Sequence, residues 1–101
     1  MKKISIGSWA YAIGPYQKKP VPWAEVTQKL KALHFDGIEL GGFAPHPNPD
    51  DLATKDQRQA CKDQMKKLSL GWSGLAANLW AEHLIDTEDT SVYLNVFRKN
   101  L

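Results

Sequence analysis

Glu39 stands in the middle of a short apolar run, Ile38-Glu39-Leu40, and the loop after it carries two glycines, a proline and a histidine (Gly41-Gly42-Phe43-Ala44-Pro45-His46). Carboxylates and imidazoles are the side chains that most often transfer protons or hold metals near neutral pH. A buried carboxylate must also be paired in some way, so Glu39 reads either as a group that meets a ligand or as a structural glutamate held by a neighbouring strand. Gly41-Gly42 lets the backbone turn sharply and approach a ligand closely, or serves the turn alone. His46, between Pro45 and Pro47, has three roles open to it: metal ligand, hydrogen-bond donor, or exposed loop residue. Glu82-His83 occupies an equivalent loop further along. Asn78 can hydrogen-bond a hydroxyl or cap a loop. Trp9 and Trp80 can wall a pocket, whereas Trp23 and Trp72 read as packing between helix and sheet. His34 closes a helix, where positive charge complements the dipole, and carries no catalytic expectation.

The elements that must position these residues alternate. Lys3-Ile4-Ser5-Ile6-Gly7-Ser8 reads as a first strand, and Gly14-Pro15, Pro20 and Pro22 mark the loop after it. Pro22 suits a first helical turn. Trp23, Val26, Leu30 and Leu33 then recur at helical spacing, and Asp36-Gly37 breaks the helix and starts the strand of Glu39. Ala60, Cys61, Met65 and Leu68 form a second stripe, which Gly71 is expected to end. Trp72 to Ala77 reads as a third strand. Val92, Val96 and Phe97 form a third stripe, with Asp89, Thr90 or Ser91 as its cap. The strands begin near residues 3, 37 and 72, a repeat of about 35 residues. Strand–helix alternation at this spacing predicts βαβ units, a parallel sheet and right-handed crossovers.

Composition narrows the function classes. The chain has 101 residues, enough for one small domain spanning 1–101. A net charge of +2 gives no electrostatic footprint for nucleic acid or an anionic membrane. The one cysteine, Cys61, excludes an internal disulfide or a Cys-rich zinc site and reads as packing. Lys2-Lys3 and the residues after them are too short and too interrupted for a signal peptide, and no run reaches membrane-span length. A cytoplasmic location, no membrane partner and no nucleic-acid partner are the expectations.

Three βα units make an awkward independent domain. Parallel sheets are normally covered on both faces, whereas right-handed crossovers put all the helices on one. A (β/α)8 barrel closes the sheet and needs about 250 residues. The expected fold is therefore α/β, the first three βα units of a (β/α)8 TIM barrel, incomplete in this chain. An open sheet face invites self-association.

Ile6-Gly7-Ser8-Trp9, Phe35-Asp36-Gly37-Ile38-Glu39-Leu40 and Leu75-Ala76-Ala77-Asn78-Leu79-Trp80 resemble the first three βα units of the xylose isomerase-like TIM-barrel superfamily. The segment similar to D-G-[IV]-E-[LI] carries most of the likeness. It specifies superfamily better than reaction. The resemblance implies that Glu39 points into the barrel near the C-terminal mouth, where the active sites of such barrels lie. It implies a sugar isomerase or epimerase acting on a small-molecule sugar, with Glu39, His46, Trp9 and Asn78 as substrate-binding residues. It also implies a divalent metal (Mn, Mg, Co or Zn) in the full-length barrel, held by residues of later strands, and none for this chain alone, which is expected to lack catalytic competence. Two alternatives stand beside it. One is the endonuclease-type, metal-dependent phosphodiesterase branch, which places histidines in the loops of His46 and His83. The other is a non-catalytic truncated remnant.

Overall fold

The structure is a computed structural model of the chain and describes residues 1–80, 82 and 87–101. Three strands and three α-helices alternate: β1 Ser5–Gly7, α1 Trp23–Ala32, β2 Gly37–Gly41, α2 Lys55–Lys67, β3 Gly71–Ala76 and α3 Ser91–Asn100. Two 3-10 turns, Ser8–Tyr11 and Gly14–Tyr16, lie between β1 and α1. The sheet is parallel, in the order β1-β2-β3, and unclosed. This is the coarse topology of a partial α/β barrel.

Local sequence explains most of these boundaries. Thr54 and Gln57 form a reciprocal capping box that starts α2. Neither α1 nor α2 is ended by a glycine. After α1, His34 N–H donates to the Lys31 carbonyl and Phe35 N–H to that of Leu30. After α2, Ser69 and Leu70 repeat the pattern onto Lys66 and Met65. Both are Schellman closures, and they put His34 at φ 59° and Ser69 at φ 55°, the left-handed region where glycine is the usual occupant. Two expectations are thereby corrected. Gly71 does not end α2 but begins β3, and Asp36-Gly37 does not stop α1. Instead Asp36 ties the strands, its carboxylate accepting the Ile4 N–H at 2.7 Å while its carbonyl accepts the Gly71 N–H at 2.8 Å.

The core lies on one side of the sheet. Ile38 is fully buried against Val26 and Leu30 of α1 and Met65 of α2, with Leu70 beside them. Both helices therefore cover the Ile38 side, as right-handed crossovers require. Trp23 and Trp72 stack there with centroids 5.9 Å apart and planes 6° apart. α3 is joined less closely. Val92, Leu94 and Phe97 are exposed, and Lys99 pairs with Asp50 in the loop after β2. Among the described residues no helix is long and apolar enough to cross a membrane.

Candidate functional site

Strand alternation assigns the opposite side of the sheet. Ser5 pairs with Gly37 and Gly7 with Glu39, so these residues and Gly41 face away from the helices. A bulge in β3 adds Ser73 between Trp72, opposite Ile38, and Gly74, opposite Glu39. The bulge lets Trp72 keep the helix side while Ser73 and Gly74 both reach the open face. Ser73 Oγ hydrogen-bonds Ser5 Oγ across the strand between them, and a methyl group on Gly37 would meet the Gly71 carbonyl at 2.8 Å.

Glu39 is half-buried on this face and is flanked by residues without side chains. On the β3 side, a methyl group on Gly74 would touch Glu39 Cγ at 3.4 Å. On the β1 side the Trp9 indole covers Gly7. A methyl there would lie 2.9 Å from Trp9 Cδ1 and closer still to Nε1 and Cε2. One step up β2, the space over Gly41 is taken by Phe43 Cε1 at 3.0 Å and Trp9 Cβ at 3.2 Å. Phe43 in turn meets Trp80, with centroids 5.9 Å apart and planes tilted by 42°. The site is thus one carboxylate on a glycine floor, with Trp9, Phe43 and Trp80 at the C-terminal end of the strands. None of the described residues hydrogen-bonds or ion-pairs with the Glu39 carboxylate, and the one ion pair among them is that of Lys99.

The backbone around the site is fixed. Ser8, fully buried, accepts the Gly41 N–H at 2.8 Å and anchors the turn that carries Trp9 to the end of β2. Gly42 N–H donates to the Ala76 carbonyl at 3.0 Å and extends the β2–β3 pairing past Gly41.

The residues expected from sequence divide. Trp9 and Glu39 come together. Asn78 is exposed just beyond β3, on the segment leading to Trp80. His46 is elsewhere. It is 1% exposed, on the helix side, with its ring 5.6 Å from that of Trp23. His46 Nε2 is 2.9 Å from the Val21 carbonyl; a carbonyl only accepts, so Nε2 carries the proton. His46 therefore fastens the β2–α2 loop to the start of α1. Asn48 stabilises the same loop by accepting the N–H groups of Asp50 and Asp51 at 3.1 Å. His83 lies outside the described residues. Phe43, Ser5 and Ser73 were not singled out from sequence. The legible signal was the alternation of serine and glycine in β1.

A cavity of about 660 Å³ opens on the helix side, lined by Leu40, Leu52, Arg58, Leu75 and Asn100 among others, and Glu39 has no part in it. Burial raises the Cys61 thiol above its ordinary value. Among the described residues no three His, Cys, Asp or Glu side chains come together as a metal site. No protein-family model, curated protein or solved structure matches the chain.

Proposed function

We propose that this chain is the first three βα units of a xylose isomerase-like (β/α)8 barrel and supplies one wall of a sugar site, in a protein that isomerises or epimerises its substrate. The observation that carries the reading is the interleaving of side chains on the open face. Ser5 of β1 and Ser73 of β3 meet across β2. One layer up, Glu39 of β2 projects between Gly7 and Gly74. Layers filled by alternate strands are how a closed parallel barrel packs its interior. A free-standing sheet face has no need of this alternation.

In this reading Trp9 offers an apolar surface to the C–H face of a sugar ring, Glu39 accepts hydrogen bonds from ring hydroxyls, and Asn78 approaches from β3. His46 acts through the loop it fastens and does not touch the sugar. The chain binds but does not catalyse, since proton transfer between neighbouring carbons also needs a base and an electrophile that the described residues do not assemble. A two-dimensional NMR titration of the chain with a neutral pentose and a neutral hexose tests the proposal. Saturable shifts at Trp9, Glu39 and Asn78, lost in Trp9→Ala, are expected. Shifts that do not saturate, or that map to the helix-side cavity around Leu52 and Arg58, would overturn it.

A further inference from the structure

We infer that the sugar recognised at this face carries a cationic amine, and that Glu39 with Trp9, Phe43 and Trp80 is the subsite for its ammonium group. The inference rests on the sugar-site reading and goes beyond it to the charge of the substrate.

Two independent observations point the same way. The first is charge. Glu39 is half-buried, and no described residue pairs with its carboxylate. The carboxylate keeps access to solvent, and a charge-assisted hydrogen bond from an ammonium group is stronger than one from the neutral hydroxyl of a sugar. Lysine and arginine are plentiful in the chain, yet the sheet positions that border Glu39, at Gly7, Gly41 and Gly74, are all glycine. No described residue supplies the counter-charge.

The second observation is aromatic. Trp9 lies on Gly7, directly beside Glu39 in the register, and Phe43 shares the space above Gly41 with it. Trp80 extends this cluster through Phe43 and is 76% exposed. Aromatic rings attract cations through their quadrupole, and cages of such rings hold ammonium groups. Apolar walls alone would serve any sugar. Walls plus an uncompensated carboxylate favour one bearing positive charge. A metal ion is the other cation to consider, but Glu39 belongs to no group of three His, Cys, Asp or Glu ligands among the described residues.

The test compares three probes at about pH 6, where a sugar amine is protonated: D-glucosamine, N-acetyl-D-glucosamine and D-glucose. Each is titrated into the full chain and followed by NMR. D-Glucosamine is expected to bind about tenfold tighter than the other two, the difference shrinking with added salt. Glu39→Gln should abolish that difference, and Trp9→Ala should reduce it. Both variants are checked for native-like spectra. Because either may unfold, the salt dependence in the unmodified chain is an independent arm. Equal affinity for the three probes overturns this inference and leaves the sugar reading standing. No saturable binding by any probe overturns both. Saturable shifts at Glu39 with Mg²⁺ alone, competing with D-glucosamine, would make the partner of the carboxylate a metal ion and also overturn the inference.

Discussion

Substituting Gly7 by alanine puts a methyl group where the Trp9 indole lies. The new carbon would sit 2.9 Å from Cδ1 and closer to Nε1 and Cε2, so the ring must shift by roughly 1 Å to restore ordinary contact. Overpacking of this kind costs about 1–3 kcal/mol. Trp9 is 39% exposed and has room to move, which places the expected cost in the lower half of that range. A second effect opposes it. The backbone at Gly7, φ −75° and ψ 130°, suits alanine, and replacing glycine stiffens the unfolded chain by about 0.4–1 kcal/mol in favour of folding.

The two effects separate in a double-mutant cycle. In a Trp9→Ala background the clash is gone, and Gly7→Ala should stabilise the chain slightly. With Trp9 present the same change should destabilise it or leave it neutral. The expected coupling is about 1–2 kcal/mol, well above the roughly 0.3–0.5 kcal/mol scatter of independent sites. Urea unfolding of the four proteins, followed by far-ultraviolet circular dichroism, measures it. Additivity within that scatter would mean that the indole does not rest on Gly7. The geometry proposed for the Glu39 subsite would then fail with it.

Other consequences are open to similar measurement. His34→Gly and Ser69→Gly relieve left-handed backbone at the two helix ends and should each stabilise by about 1 kcal/mol in urea unfolding. Thr54→Ala removes the capping box of α2 and should cost about 1 kcal/mol, read by the same assay. Leu30→Ala empties a fully buried core position and should cost about 2–5 kcal/mol, read as a lowered urea midpoint. The Asp89 carboxyl is lowered by the Ser91 backbone N–H it accepts, so its contribution is present above the unfolded carboxylate value and lost as pH falls through the folded one. Asp89→Asn should flatten the stability–pH curve below about pH 4 in acid titrations of the chain. Burial raises the Cys61 thiol, so it should react with a disulfide reagent near pH 8 more slowly in the folded chain than in urea.

The strand–helix alternation was legible because two periodicities are written plainly into the chain. Val26 and Leu30 recur at helical spacing and are buried, and Ile38 lies in a short apolar run and is buried with them. The helix ends were less legible. Glycine is the visible stop signal, but the left-handed closures fall on His34 and Ser69, whose side chains do not announce that geometry. Trp23 packs against the core between helix and sheet, whereas Trp72 stacks on its ring but stays 42% exposed, because the third strand lies at the uncovered edge of the sheet. The site was half legible. A carboxylate in an apolar strand is visible in one dimension, and so is the aromatic after β1. The bulge at Ser73 is not. It depends on how β3 registers against β2, and that register decides whether Ser73 and Gly74 or Trp72 face Glu39. His46 shows the converse limit. The loop left His46 open as metal ligand, hydrogen-bond donor or exposed residue, and what decides it is the Val21 carbonyl, a partner 25 residues away in sequence that buries the ring beside Trp23.

The placement of Glu39 follows from what its neighbours lack. A glutamate on a parallel sheet is crowded from both sides, because each adjacent strand presents a side chain at the same height. Here both of those positions are glycine, as is Gly41, the next residue of β2 on that face. Glycine weakens a strand, by conformational entropy and by the loss of packing. Three glycines round one carboxylate are therefore a local sacrifice of sheet stability. The Ser5–Ser73 contact across β2 and the anchoring of Gly41 to Ser8 tie the strands together despite it. One of the vacated spaces is filled by Trp9, and a second is shared by Trp9 and Phe43, so aromatic surface replaces β-branched packing. The result is a carboxylate that can be reached from the open face and that no described residue neutralises.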